Sequence, residues 1–213
     1  MRKNQKEGEK FLYMITKQGV AKKVDATAFH DVRRSGLIAQ KLQKGDELIA
    51  ALLVEKGDEI FLSTSKGQSI RFKESDIRAM GRAAGGVRGM KLGSGDYIVG
   101  ADVIKKGVKD LEVLVVSRNG YGKTTKTDEY KTQKRGGSGI KTMNMTPKTG
   151  PVIAARIISK ADGSEENEVV VISKKGQVIR TGLNEIPSLS RSTQGVRVMK
   201  LREGDAIASF VCL

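Results

Sequence analysis

Aromatic side chains make up only 4% of this chain, and tryptophan is absent. Apolar content is lean at 38%, and the 25 glycines point to many tight turns. The 213 residues still suffice for one or two domains with a substantial buried core. A single cysteine, Cys212, excludes an intrachain disulfide and a CxxC metal pair, and it fits a reducing cytoplasm. The lone histidine, His30, has no Cys or His nearby to share a metal. No apolar run approaches the ~20 residues that span a bilayer, so no membrane partner is expected. The segment 1–10 is charged, lacks the apolar core of a signal peptide, and reads as a solvated tail. Walker-type, HExxH and GxSxG motifs are missing and the acids are scattered, so nothing argues for an enzyme, a cofactor or a metal. Helical periodicity is nearly absent as well.

Positive charge is what the chain has in excess. Thirty-nine Lys and Arg against 24 Asp and Glu give a net charge of +15. A single-sign field of this size favours a polyanionic partner, nucleic acid before anionic membrane.

The second abundant feature is a pattern repeated four times. Each copy opens with a short apolar run and a turn glycine, Gly19, Gly67, Gly120 and Gly176, spaced 48, 53 and 56 residues apart. A basic residue follows: Lys22 and Lys23, Arg71, Lys123, Arg180. Ten positions after each glycine stands a bulky apolar residue, Phe29, Ile77, Tyr130 or Ile186, read as a core anchor. A second glycine (Gly36, Gly86, Gly139, Gly195) precedes an apolar residue, and a third turn glycine closes the unit. A period of this length signals a propeller, solenoid or array. The apolar runs are short and β-rich and end at hairpin turns, Asn119-Gly120 being the strongest. A second strand pair is expected in each copy, for example Gly195 to Leu201 pairing with Ala206 to Ala208. The expected fold is all-β, four propeller blades of about four strands each, at 11–58, 59–109, 110–166 and 167–213. Copy three departs with Gly150-Pro151 where the others have Gly-Asp. The polar stretch 161–167 reads as a mobile surface loop. Strict alternation would set Arg197 on one face with Met199 and Leu201; a bulge, or a strand that ends at Arg197, would resolve this.

The long connection before each second glycine gathers further basic residues: Arg33 and Arg34, Arg78 and Arg82, Lys134 and Arg135, and Arg191. Lys and Arg neutralise phosphates, and glycine lets backbone N–H groups approach them. Together with Lys22, Lys23, Arg71, Arg88, Lys123, Lys141, Arg180 and Arg197, these are the candidate DNA contacts. The four tyrosines sit in scaffold positions without an acid cluster, so no catalytic role is assigned to them.

These residues carry a resemblance. Arg71 to Gly81, continuing to Gly86-Val87-Arg88-Gly89, is similar to the blade sequence of the DNA gyrase A C-terminal domain, as are Asn119 to Thr124 and Thr193 to Val196. The resemblance covers about residues 11–213. It implies a β-pinwheel, a propeller-like disc whose blades exchange strands. It also implies DNA bent around a basic outer rim, no cleavage chemistry in the domain itself, and support for negative supercoiling. The implied partners are double-stranded DNA, the gyrase B subunit, and the rest of the gyrase A polypeptide. The implied location is bacterial, cytoplasmic and nucleoid-associated. The family's domain usually has six blades, and the match is best to the last four, which reads as a C-terminal fragment or a shortened form. The family's signature box, Gln-Arg-Arg-Gly-Gly-Lys-Gly, belongs to the first blade. Its nearest match here is the copy-three loop Gln133, Lys134, Arg135, Gly136, Gly137, Ser138 and Gly139, read as the equivalent loop of a later blade. Two alternatives remain: a propeller-type module with an acidic protein partner, and a basic RNA-binding array, the latter disfavoured by the few aromatics available for stacking.

Overall fold

The computed structural model describes residues 9–30, 34, 36–160 and 168–213. Residues 1–8 of the expected tail, Arg33, and the loop 161–167 lie outside the described residues. The described residues form short strands joined by turns, with four single 3-10 turns and no α-helix. Copy one supplies β1 (Lys10–Thr16), β2 (Val20–Asp25) and β3 (Leu48–Glu55). Copy two supplies β4 (Glu59–Thr64), β5 (Gln68–Lys73), β6 (Val87–Arg88) and β7 (Ile98–Ile104). Copy three supplies β8 (Leu111–Ser117), β9 (Tyr121–Lys126), β10 (Thr132–Gln133), β11 (Ile140–Lys141) and β12 (Val152–Ser159). Copy four supplies β13 (Glu168–Ser173), β14 (Val178–Gly182), β15 (Val196–Arg197) and β16 (Ile207–Cys212).

In every copy the first two strands form the hairpin expected at the turn glycine, and the last strand returns on the other side of the first. The short strand in between leaves its own copy. β6 pairs with β2, β11 with β5, and β15 with β9, so the outer edge of each of the first three blades is completed by the next copy. The four sheets run β3-β1-β2-β6, β7-β4-β5-β10 with β11 also on β5, β12-β8-β9-β15, and β16-β13-β14. The expected second strand pair within one copy is therefore corrected, because its two halves belong to neighbouring sheets.

A recurrent carbonyl explains where the exchanged strand stops. The turn-glycine oxygen accepts two successive N–H groups: Gly89 and Met90 on Gly19 (2.8 and 3.3 Å), Thr142 and Met143 on Gly67 (2.8 and 3.4 Å), Val198 and Met199 on Gly120 (2.8 and 3.1 Å). This bends the chain after two strand residues. Arg197 ends its strand exposed, and Met199 turns inward to be buried. A Cβ on Gly120 would collide with the Met199 carbonyl, and the glycine sits at φ 81°, so glycine is required there.

The hydrophobic cores lie between copies. Phe11, Tyr13 and Ile15 of β1 pack with Ile60, Leu62 and Ile77 of copy two. Phe61 of the same β4 points the other way, onto Val113, Val115 and Tyr130 of copy three. Leu114 and Val116 of β8 then meet Val169, Val171 and Ile186 of copy four. Successive strand residues serve opposite cores, which follows from the two-residue side-chain period. The returning strands β3, β7, β12 and β16 surround a central cavity of about 450 Å³ lined by Ala50, Gly100, Ala101, Ala154 and Phe210 among others. Gly100 allows close approach here, since a Cβ would lie 2.7 Å from the Ala155 oxygen.

Three of the four anchors are buried as expected, Ile77 at 1%, Tyr130 at 2% and Ile186 at 3% exposure. Phe29 is corrected: it is partly exposed and belongs to none of the three cores, in each of which an anchor packs onto the preceding copy. Tyr130 also stacks edge-on against Phe61, ring centres 5.1 Å apart at 88°. Phe61→Ala is expected to cost about 3–5 kcal/mol in chemical denaturation. Phe29→Ala is expected to cost less than about 1 kcal/mol; equal losses would contradict cores placed between copies.

Candidate nucleic-acid interface

The basic loops of copies two to four are fixed at both ends on the outer strand of the preceding blade. At the leading end the contact is parallel: Met80 N–H on the Lys23 carbonyl (2.9 Å), Thr132 and Gln133 opposite Arg71 and Phe72, and Ser188 opposite Thr124. At the trailing end it is the antiparallel exchanged strand. Each loop therefore projects at the rim, across the edge of a neighbouring sheet.

Beneath two of these loops stand lysines that the sequence reading assigned to DNA. Lys22 is fully buried, and its ammonium donates to the carbonyls of Ala39 (2.8 Å) and Arg82. Lys123 is its counterpart two copies on, fully buried, donating to the carbonyls of Ser190 and Arg191 (the latter at 2.8 Å). Burial pulls the Lys123 ammonium down to about 8, partly opposed by Glu129 and reinforced by Arg191, and burial lowers Lys22 as well. Copy two has Ile70 at this position, and the glycine-rich loop settles onto it; a Cβ on Gly137 would sit 3.7 Å from the Ile70 methyl.

One residue further on, the basic side chains also serve the scaffold. Lys23 is buried against Glu74 of copy two and lies 3.9 Å from the Phe11 ring centre. Arg71 pairs with Glu59 and donates to the Thr127 carbonyl of copy three at 2.9 Å. Arg180 pairs with Glu168 but stays exposed. The assignment of Lys22, Lys23, Arg71 and Lys123 to DNA is therefore corrected: their charged ends are turned into the joints between blades and are not presented to a ligand.

The loop arginines divide in two. Arg135 donates to the carbonyls of Asp76 (2.9 Å) and Arg88 (3.1 Å), and Arg191 donates to the carbonyl of Lys141 (3.0 Å). Both are half-buried and staple one copy's loop to the exchanged strand of the copy before. Gly136 N–H on the Gly89 carbonyl (2.6 Å) and Lys91 N–H on the Gly137 carbonyl (2.9 Å) seat the box-like loop in the same place. Within that loop, Gln133, Gly136, Gly137 and Gly139 are half-buried while Ser138 is exposed. Lys134 is 93% exposed and lies 3.6 Å from Asp76. Arg34, Arg78 and Arg82 are exposed.

The remaining three, Arg88, Lys141 and Arg197, are equivalent. Each is the second and last residue of an exchanged strand, opposite Val20, Gln68 and Tyr121 respectively. All three are exposed, and no carboxylate among the described residues lies within ion-pair distance of them. Three consecutive blades thus carry one cation each at the same point of the outermost strand. Arg197 also donates to the Tyr121 phenol at 3.2 Å, and this bond, more than burial opposes it, lowers the phenol's pKa. Three lysines passed over in the sequence, Lys41, Lys91 and Lys200, are exposed five positions after the second glycine of copies one, two and four. Their recurrence was the available signal.

The acids are engaged elsewhere. Asp96 accepts from Ser65 (2.8 Å) and from the N–H groups of Lys66 and Tyr97 (2.9 Å each), closing its turn onto the neighbouring hairpin. Burial pushes Asp205 up, but its bonds from Ser173, Ala206 and Lys175 together hold it below the ordinary carboxylate range. In copy three Asn119 does this work from the opposite turn, donating to the carbonyls of Pro147 (3.2 Å) and Lys148 (3.1 Å). Tyr13 and Tyr130 are buried with their hydroxyls bonded, and burial pushes Tyr130 up to about 12, away from the phenolate a nucleophile needs. No group of acids, His or Cys suited to a metal occurs among the described residues. No helix among them is long and apolar enough to cross a membrane.

Four blades around a central cavity, the first three each completed by a strand of the next copy, define a strand-exchanging β-propeller. The chain belongs to the DNA gyrase C-terminal domain family, a beta-propeller, whose model matches residues 10–55, 58–105, 111–159 and 167–213. It is 37% identical over 203 residues to the DNA gyrase A protein of Aminobacterium colombiense, covering 95% of this chain and 24% of that relative. The gyrase A protein from Staphylococcus epidermidis is 38% identical over 201 residues, 94% of this chain and 22% of the relative. The chain therefore spans about a quarter of the length of the curated relatives it matches. Among solved structures, a DNA gyrase A C-terminal domain superposes with a TM-score of 0.81 at 27% identity, covering 100% of this chain and 68% of the other. The C-terminal domain of a DNA topoisomerase IV shares the fold, with a TM-score of 0.87 at 23% identity over 100% of this chain and 64% of the other.

Lys123→Met leaves two loop carbonyls unpaired and is expected to cost about 1–3 kcal/mol. Because the folded-state pKa of Lys123 lies below its unfolded value, the charged ammonium weakens the fold below about pH 8. That penalty fades as pH rises toward the unfolded value. The stability gap between wild type and the Met variant should widen from pH 7 to about pH 10; a constant gap would show that Lys123 titrates normally.

Proposed function

We propose that this chain binds duplex DNA along its outer rim and bends it, as the DNA-wrapping part of a gyrase A protein. It would contribute curvature to negative supercoiling and no cleavage chemistry of its own. Its working partners are then double-stranded DNA, the gyrase B subunit, and the remainder of the gyrase A polypeptide, in the bacterial nucleoid. The observation that carries this reading is the equivalent placement of Arg88, Lys141 and Arg197 on the outermost strands of three consecutive blades. Charges repeated along a curved edge match the repeated phosphates of a duplex bent around it. Lys134, Arg78, Arg82, Arg34 and the exposed lysines 41, 91 and 200 extend the same rim, and Arg33 belongs to the same proposal. Family membership supports the assignment, since the relatives are gyrase A proteins. Contacts of this kind read phosphates and give little sequence preference. Bending 20–30 base pairs costs on the order of 1–6 kcal/mol, which several contacts must meet together.

Neutralising Arg88, Lys141 and Arg197 to Gln should weaken duplex binding and reduce the log–log salt slope by about 2.7, at about 0.9 per phosphate contact. The melting temperature should stay unchanged, while the Lys123→Met variant should do the reverse. An unaltered salt slope in the triple variant would remove the rim from DNA binding. Displacement of a bound acidic protein, but not of duplex DNA, would favour an interaction module. Wrapping is tested separately: relaxed plasmid with bound protein is treated with a type I topoisomerase, stripped, and its linking number read. A shift of one sign that grows with protein and vanishes at high salt is expected. Binding without a shift would leave a holding surface that does not wrap.

A further inference from the structure

Copy three departs from its neighbours at the joint it makes with copy four. Its last turn, from the buried Met143 to Val152, is one residue longer than the matching turns Met90 to Ile98 and Met199 to Ile207. The three turns end alike: the N–H groups of Ile98, Val152 and Ile207 donate to the carbonyls of Lys17, Ser65 and Arg118 (2.9, 2.9 and 2.8 Å). The extra length is taken up in Thr146-Pro147-Lys148-Thr149, closed by the Thr146 N–H on the Thr149 hydroxyl (3.0 Å). Asn119 fixes this turn from the hairpin opposite, donating to the carbonyls of Pro147 (3.2 Å) and Lys148 (3.1 Å). Lys148 is thereby held beside Tyr121, the first residue of β9.

Tyr121 follows the turn glycine, a position held by Val20 and Gln68 at the other two joints. It belongs to the core between copies two and three and is buried, which fixes its ring. The Lys148 ammonium lies 5.3 Å from the ring centre and the Arg197 guanidinium carbon 5.8 Å. Arg197 donates to the phenol oxygen at 3.2 Å, and that donation polarises the O–H and strengthens it as a donor in turn. Yet no acceptor among the described residues takes the phenol proton. No carboxylate among them pairs with Lys148 or Arg197. Three donors, two of them cationic, thus gather at one place on the rim with no protein acceptor. The chemistry that fits them is an oxyanion, and a phosphate accepts from Arg, Lys and Tyr alike.

We propose that Tyr121, Lys148 and Arg197 form one phosphate site at the joint of copies three and four, that its ligand is a backbone phosphodiester of duplex DNA, and that the duplex takes its register on the rim from there. The source of the phosphate rests on the DNA reading above; the unequal strength of the three joints does not follow from that reading. Arg88 faces Val20 and Lys141 faces Gln68, so neither cation has a phenol beneath it. The third joint adds a second cation and a neutral donor to its arginine, all held in place by the turn and the core before a ligand arrives. A duplex long enough to meet every joint gains from each of them. A short one settles where a single phosphate is bound best.

The test measures binding of two labelled duplexes, one of about ten base pairs, a single helical turn, and one long enough to span the three joints. Lys148→Met should weaken the short duplex about tenfold and Tyr121→Phe about fivefold, as expected for hydrogen bonds to a charged group. Arg88→Gln should change it less than about twofold, yet should weaken the long duplex as Lys148→Met does. Lys148→Arg should restore short-duplex binding, and the melting temperature of Lys148→Met should equal that of the unsubstituted chain. Equal sensitivity of the short duplex to Arg88→Gln and Lys148→Met, or indifference to Tyr121→Phe, would overturn the site and leave the DNA reading standing. Failure of the unsubstituted chain to bind either duplex would remove the DNA reading and the site with it. Displacement of the short duplex by millimolar inorganic phosphate at constant ionic strength would assign the three donors to the free anion and overturn the duplex assignment.

Discussion

Each hydrophobic core in this protein lies between two copies of the repeat, and the rest of the architecture depends on that placement. A blade buried on one face only would leave half its alternating side chains in water. Here β8 is buried along both faces, Val113 and Val115 toward copy two, Leu114 and Val116 toward copy four. That is why the run Val113 to Val116 is continuously apolar. It also makes strand exchange consequential. Once the cores are shared, the outer strand that binds the next copy reinforces the joint that the core already makes.

The buried lysines follow from the same constraint. A loop laid across a neighbour's sheet edge turns several carbonyls toward the protein, and buried carbonyls need donors. Lys22 and Lys123 supply ammonium groups that satisfy two carbonyls each, at the cost of bringing a charge out of water. Copy two omits the lysine, and there the loop has the adjacent glycines Gly136 and Gly137, the second of them against Ile70. Two chemistries thus close the same gap. The resemblance of Gln133 to Gly139 to the family's signature box is accompanied by this local role in packing.

Much of the fold was legible in the sequence because its determinants are local. Turn glycines, short β-rich runs and a bulky residue at a fixed offset each report one element, and their recurrence reports four blades. The exchange of strands was not legible from the residues themselves, since Val87-Arg88 reads the same whether its partner is β2 or β7; it came with the resemblance. The site was legible only in part. A net charge of +15 says that cations are plentiful but not where their ends point. Lys22 sits between the buried Ala21 and Lys23 on a strand whose partner residues are Met14 and Ile15, and that pairing, invisible in one dimension, decides its burial.

The electrostatic character of the rim is also a consequence of where the acids went. Asp58, Glu59, Glu74 and Asp96 are engaged within turns and joints, and Asp102 accepts the Ile157 N–H at 2.9 Å beside the central cavity. These carboxylates therefore pair with basic groups and accept from N–H donors inside the scaffold. The cations left over, Arg88, Lys141 and Arg197, stand on the exchanged strands at the edges of three sheets. One cation thus stands at the same place on the edge of three sheets. Because the charges are held on strands joined to two copies at once, their spacing is set before any ligand arrives. Under the proposed DNA reading, such a preset spacing spares the protein a reorganisation on binding.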